Sequence, residues 1–289
     1  MILPQFELEE PNSVSEACGI LRSKQNSKVI AGGTDLLVNL KKKATKADFL
    51  VSMGRIGELT NMSFPDSHTL SLGPMMTVAD VADTPIIETN FPALHLASAR
   101  LASPQVRNRA TVGGNVCAAR TAGDTVGPLI AYGAIAQITS FTSERTECFE
   151  ALFLGPGRTS LKPDEILTAI MLKRPPNGTH GNYMKFTTRN AMDVALASVT
   201  TVLTIECDVC CSAKLVLGVV TPTFVRCRGS EEFLVGKRIT EDVAEVAGML
   251  ATDACTPVSD ARASAAYRTR LVQILVKRSL LEAASSPGN

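Results

Sequence analysis

An α+β chain of two successive parts is predicted by three observations. Residues 1–53 alternate short apolar runs with helix-spaced segments, in the manner of a small βαβ-like unit. Pro175-Pro176-Asn177-Gly178 breaks the chain. Beyond it, two long strand-like segments, Val194–Ile205 and Lys214–Val220, precede three helical ones. The expected domains are therefore residues 1–175, subdivided at about residue 53, and residues 178–286.

The elements follow in order. Residues 5–22 give an extended piece and then a helix, which Asn12-Ser13 can cap and which places Val14, Ala17, Cys18 and Leu21 at helical spacing. Val29-Ile30-Ala31 reads as a buried strand, and Leu36, Leu37 and Leu40 as the apolar face of a helix. Phe49-Leu50-Val51 is the next strand. Leu70–Pro74 forms a strand and turn, a helix starts near Thr77, and Phe91–Arg100 forms another, stopped by Pro104. Gly127–Tyr132 is a short apolar helix and Ala136–Phe141 an alternating strand. Phe149–Gly157 is a helix and loop, and Ile166–Lys173 a further strand. After the break, the two strands join near Asp208. Helices follow at Arg226–Leu234, Glu241–Ala251 and Ala265–Glu282, with a frayed Ser-Ser-Pro-Gly tail.

Composition excludes several function classes. The chain has 289 residues, 45% hydrophobic and 20% charged, with a net charge of +1. A balanced charge argues against nucleic acid or an anionic membrane as the main partner. Aromatics make up 4%, with no Trp, too few for a base-stacking surface. No run reaches the length of a membrane span, and no secretory signal is visible. Eight scattered cysteines fit free thiols in a reducing cytoplasm. Cys207, Cys210 and Cys211 form one local cluster, but no second pair completes a four-ligand metal site. Lys41-Lys42-Lys43 reads as a solvated surface run. His68, His95 and His180 sit in no arrangement for nucleophilic catalysis.

The chemistry concentrates at two glycine pairs. In Ile30-Ala31-Gly32-Gly33-Thr34-Asp35-Leu36-Leu37 an apolar run turns at two glycines into helix-start residues. Such a turn exposes main-chain N–H groups that bind anions, phosphate most often. Thr111-Val112-Gly113-Gly114-Asn115 repeats the pattern. Together the two turns can cradle the two phosphates of a dinucleotide. Neither G-x-G-x-x-G nor G-x-x-x-x-G-K-S/T is present, which excludes a Rossmann fingerprint and a P-loop.

AGGTDLL at 31–37 and ATVGGN at 110–115, with the spacing between them, resemble the flavin-binding medium subunit of the molybdenum hydroxylases. That family includes the xanthine and carbon monoxide dehydrogenase medium subunits and the 4-hydroxybenzoyl-CoA reductase β subunit. The resemblance covers nearly the whole chain. It implies a two-subdomain FAD-binding module, like that of vanillyl-alcohol oxidase, with a C-terminal domain of antiparallel strands and helices. It also implies non-covalent FAD, whose diphosphate contacts Ile30, Ala31, Gly32, Gly33, Thr34, Asp35, Leu36 and Leu37, and Thr111, Val112, Gly113, Gly114 and Asn115. Asp124 matches an acidic FAD contact, which its charge places at the ribose end. Lys185 matches a lysine near the flavin ring, where a cation favours the reduced form. Leu167, or Ile166, matches an aliphatic neighbour of that ring. Leu101 stands where some relatives carry a Phe.

The benzoyl-CoA reductase relative carries a cysteine-rich insertion for a [4Fe–4S] cluster after its second glycine turn. Here only Cys117 lies between Asn115 and Asp124. The resemblance implies a chain that takes electrons from [2Fe–2S] clusters on a small partner and passes them to an external acceptor. Molybdopterin then sits on a large partner, in a dimer of heterotrimers. NAD, ferredoxin and quinone all remain open as acceptors. Two other readings stay open: a stand-alone FAD oxidoreductase of the same flavin fold, and a module whose glycine turns hold another diphosphate.

Overall fold

A computed structural model describes residues 2–189 and 192–285. The predicted Ser-Ser-Pro-Gly tail lies outside the described residues from position 286 onward. The chain packs as two compact units that are not sequential: one is Met1–Asp80, Pro104–Ala119 and Ala134–Lys173. The described residues of Val81–Ser103, Arg120–Gly133 and Arg174–Asn289 form the other.

The first unit opens with the expected βαβ arrangement. Strand Glu7–Glu9 leads to helix Val14–Ser23, whose Ser13 cap accepts a hydrogen bond from the Glu16 N–H at 3.2 Å. Strand Ser27–Ile30, helix Leu36–Lys41 and strand Phe49–Ser52 follow. Phe49–Ser52 lies between the other two strands and runs parallel to both. Only this central strand is well covered, with Leu50 and Val51 fully buried. Ser27–Ile30 is an edge strand, and Val29 is 38% exposed rather than buried.

A five-stranded antiparallel sheet completes the unit, in the order Met62–Asp66, Thr69–Leu72, Ile166–Lys173, Ile135–Thr139, Glu144–Cys148. The outermost pair on one side includes Met62–Asp66, which the sequence pattern did not reveal. Pro65 interrupts its alternation, and an edge position tolerates the missing N–H. At the centre, Ile170 and Leu172 are fully buried. A partly buried ion-pair cluster ties one side together. Arg145 donates to both oxygens of Glu165, at 2.9 and 2.8 Å, and to Glu147 at 2.8 Å. Its hydrogen bonds hold the Glu165 carboxyl below the usual range.

The second unit is built on a four-stranded antiparallel sheet, in the order Thr179–Phe186, Ala197–Glu206, Val209–Gly218, Val225–Arg226. The two long strands meet at Cys207 and Asp208, both at positive φ, as a two-residue hairpin requires. Seven consecutive residues from Ala197 to Leu203 are buried, so both faces of that strand are covered. Val199, Leu203, Leu215 and Leu217 pack with Leu271, Val272, Leu275 and Val276 of helix Ala265–Ser285. On the opposite face, Thr200 supports Gly127 of helix Val126–Ala131, where an added β-carbon would lie 2.8 Å from its hydroxyl. Helices Arg228–Leu234 and Glu241–Ala251 also begin or end within two residues of expectation.

Candidate functional site

The first glycine turn keeps its donors free. Among the described residues, the N–H groups of Gly32, Gly33 and Thr34 meet no hydrogen-bond acceptor. Gly33 adopts φ +73°, a left-handed conformation costly for any residue with a β-carbon. Successive unpaired amides at such a turn form a concavity suited to an anion. Asp35 occupies the cap position of Leu36–Lys41, but its side chain makes no capping bond, unlike the expected helix-start role. Gly32 serves a second purpose. A β-carbon there would lie 1.7 Å from the Arg109 carbonyl oxygen, so this turn rests directly on the chain entering the second.

That second turn is a different structure from the one expected. Val112–Cys117 is a short helix with both glycines inside it, and Thr111 is its cap. The Thr111 hydroxyl accepts from the Gly114 N–H at 3.0 Å, and its carbonyl accepts from the Asn115 N–H at 2.9 Å. Val112 donates to Met76 at 3.0 Å and Gly113 to Pro74 at 2.8 Å. These four amides are engaged within the protein, so free donors belong to the first turn alone. Gly113 is required by packing, since a β-carbon would lie 2.4 Å from Cβ of Pro74. The two turns adjoin within one unit, and their glycines let the main chains approach.

A second cluster forms in the other unit. Tyr183 and Lys185 are two residues apart on one strand and therefore share a face, paired with Thr200 and Ser198. The loop ahead of Val126–Ala131, the helix on that face, delivers Asp124. Lys185 Nζ donates to Asp124 Oδ2 at 2.8 Å, and the Tyr183 hydroxyl donates to Oδ1. Asp124 is 9% exposed and Tyr183 1%. Burial pushes the Asp124 carboxyl above its ordinary range, against the opposing pull of Lys185 and Tyr183. The Tyr183 phenol is driven well up by burial and by the neighbouring carboxylate.

Lys185 also lines an open pocket with about 190 Å³ of empty space, together with Arg100, Ala102, Thr187, Arg189, Met192 and Asp193. Sequence reasoning singled out only Lys185 among these. No motif marks the others. Asp193 holds the loop by accepting from the N–H groups of Thr188, Arg189 and Val194 at 2.8–2.9 Å. Of the two predicted aliphatic residues, Leu101 is buried in this second unit. Leu167 is buried in the first, where strand register shifts between Leu167 and Ala169. Of the three clustered cysteines, Cys210 is buried while Cys207 and Cys211 are exposed.

An α+β module whose glycine turn presents unpaired amides is suited to an anionic ligand such as a phosphate. Comparison with known proteins specifies which one. Residues 4–175 match the model of the FAD binding domain in molybdopterin dehydrogenase, and residues 182–283 match the CO dehydrogenase flavoprotein C-terminal domain. The nicotine 6-hydroxylase medium subunit of Paenarthrobacter nicotinovorans is 31% identical, over 98% of this chain and 99% of that one. The carbon monoxide dehydrogenase medium chain of Hydrogenophaga pseudoflava is 31% identical over 97% of both. A solved structure of carbon monoxide dehydrogenase from that organism, lacking the Mo-pyranopterin moiety, superposes with a TM-score of 0.94 over 98% of each chain. Quinoline 2-oxidoreductase from Pseudomonas putida 86 superposes with a TM-score of 0.93 at 28% identity, over 98% of each chain.

The chain belongs to the FAD-binding medium-subunit family of the molybdenum hydroxylases. It is an oxidoreductase subunit, and FAD is its cofactor. Among the described residues no helix is long and apolar enough to cross a membrane.

Proposed function

We propose that this chain is the electron-transfer flavoprotein of a molybdopterin-dependent hydroxylase. It takes electrons from [2Fe–2S] clusters on a small partner subunit and hands them to an external acceptor. Molybdopterin and the organic substrate sit on a large partner. The observation that carries this reading is the first glycine turn. Three amides without protein acceptors, next to a main chain that only glycine lets approach, suit the diphosphate of FAD.

In this reading Ile30, Ala31, Gly32, Gly33, Thr34, Asp35, Leu36 and Leu37 form the diphosphate side of the site. Thr111, Val112, Gly113, Gly114 and Asn115 brace that turn rather than supply free amides. Lys185 is assigned to the isoalloxazine, and Leu101, Leu167 and Asp124 are the remaining residues this reading assigns to the cofactor. Bound FAD supplies the redox step; these residues bind it, orient it and set the local charge. We further propose an assembly of two copies of each of three subunits, in a reducing cytoplasm that keeps the eight cysteines as thiols.

Purification separates this reading from the alternatives. The account expects a yellow chain that carries flavin, lacks oxidase activity alone and co-purifies with two other subunits. Turnover without partners marks a stand-alone FAD oxidoreductase. A chain that stays colourless after incubation with FAD contradicts the cofactor assignment.

A further inference from the structure

Asp124 is held in a way that a sugar ligand would not need. Both of its oxygens are committed to charged or strongly polar donors, Lys185 Nζ at 2.8 Å and the Tyr183 hydroxyl. Tyr183 is itself fixed from two directions. Arg100 donates to its main-chain carbonyl at 2.6 Å, and the Ser198 hydroxyl bonds its phenol oxygen. Asp124 and Tyr183 are at least nine-tenths buried. Lys185, at 13% side-chain exposure, is the member that reaches the pocket. The arrangement thus runs from a locked interior hydroxyl, through a carboxylate, to an ammonium at a pocket wall.

We propose that Asp124 is a positioning residue that acts through Lys185, with Tyr183 as its anchor, rather than a ligand of the ribose. The carboxylate holds the ammonium in place and aims it into the pocket. With one donor on each oxygen and the residue only 9% exposed, little of the carboxylate faces outward to accept from a further hydroxyl. The Tyr183 hydroxyl anchors the second oxygen of Asp124. This inference rests on the reading that Lys185 meets the isoalloxazine, where a fixed cation favours the reduced form.

The test uses the full chain loaded with FAD, reading the flavin midpoint potential and the FAD dissociation constant. Lys185→Met should lower the potential. Asp124→Asn should lower it too, because the ammonium is no longer held at the pocket wall, while FAD affinity stays within about threefold. Asp124→Asn in the Lys185→Met background should produce no further change. Tyr183→Phe removes one hydroxyl and should shift the potential the same way by less. It keeps the test decisive should the Asp124 variant fold poorly.

A potential raised by Asp124→Asn means that the carboxylate acts by its own charge on the flavin. A tenfold or larger loss of FAD affinity, independent of Lys185, marks a ribose ligand. Either result overturns the proposal and leaves the placement of Lys185 intact. An unchanged potential in Lys185→Met overturns that placement, and the inference with it.

Discussion

The carbonyl oxygen of Arg109 stands 1.7 Å from the point that a β-carbon on residue 32 would occupy. Gly32 is therefore required by main-chain packing between the two turns, independently of any ligand. Gly32→Ala should destabilise the first unit by about 2 kcal/mol or more, since overpacking alone costs 1–3 kcal/mol and backbone has little room to move. Gly33→Ala must adopt the left-handed φ of +73° and brings its β-carbon 3.1 Å from Cδ1 of Leu37, a side-chain end that can shift, and should cost about 1–2 kcal/mol. Thermal unfolding of the two variants checks the order.

Thr111 caps a helix that contains two glycines and has little propensity of its own. Thr111→Val keeps the shape and removes the acceptor for the Gly114 N–H. The loss should be about 1–2 kcal/mol, in line with helix caps elsewhere, with a partly buried amide left unpaired. Denaturant titration of the variant measures it. An unchanged midpoint would contradict the cap's contribution.

These two turns also show how far the sequence was legible. At residues 27–41 an apolar run, two glycines and a leucine-rich segment describe strand, turn and helix in the order observed. At residues 110–117 the same composition misleads. Val112 reads as strand and Gly113-Gly114 as turn, yet the Thr111 cap and packing on Pro74 draw all of them into a helix. Strand Thr179–Phe186 escaped notice for a related reason. His180, Asn182 and Lys185 break its apolar pattern, and tertiary partners absorb the last two: Asn182 donates to Glu282 at 3.1 Å, and Lys185 meets Asp124. The rest of the cationic pocket, Arg100 and Arg189 included, comes from separate loops with no spacing to detect.

Arg145 and Glu165 make the first unit acid-sensitive. The Glu165 carboxyl is held below its ordinary value chiefly by the Arg145 hydrogen bonds. A lowered folded-state value means that the group contributes stability above its unfolded value, near pH 4.3, and loses it as pH falls through the folded value. Glu165→Gln should cost about 1–3 kcal/mol at pH 7, typical of hydrogen bonds to charged groups. The gap between variant and parent should narrow below about pH 4. Urea unfolding at pH 7 and at pH 3.5 reads both, and a gap that is constant with pH would contradict the assignment.

Cys207 and Asp208 occupy a two-residue hairpin at φ +48° and +64°. Asn and Gly suit these conformations better. The substitution Cys207→Asn, which keeps the Asp208–Arg238 ion pair, should therefore raise stability by up to about 1 kcal/mol. It should leave FAD content unchanged, since the hairpin contributes no residue to either candidate cluster. Differential scanning calorimetry with flavin absorbance checks both statements.

Hydrogen–deuterium exchange of the first turn, with and without FAD, tests the central claim most directly. The amides of Gly32, Gly33 and Thr34 have no acceptor in the protein alone and should exchange freely. On binding FAD the peptide spanning residues 30–37 should become strongly protected, whereas the amides of 112–115, already bonded internally, should change little. Free exchange at Gly32–Thr34 in the FAD-loaded chain would show that the diphosphate lies elsewhere.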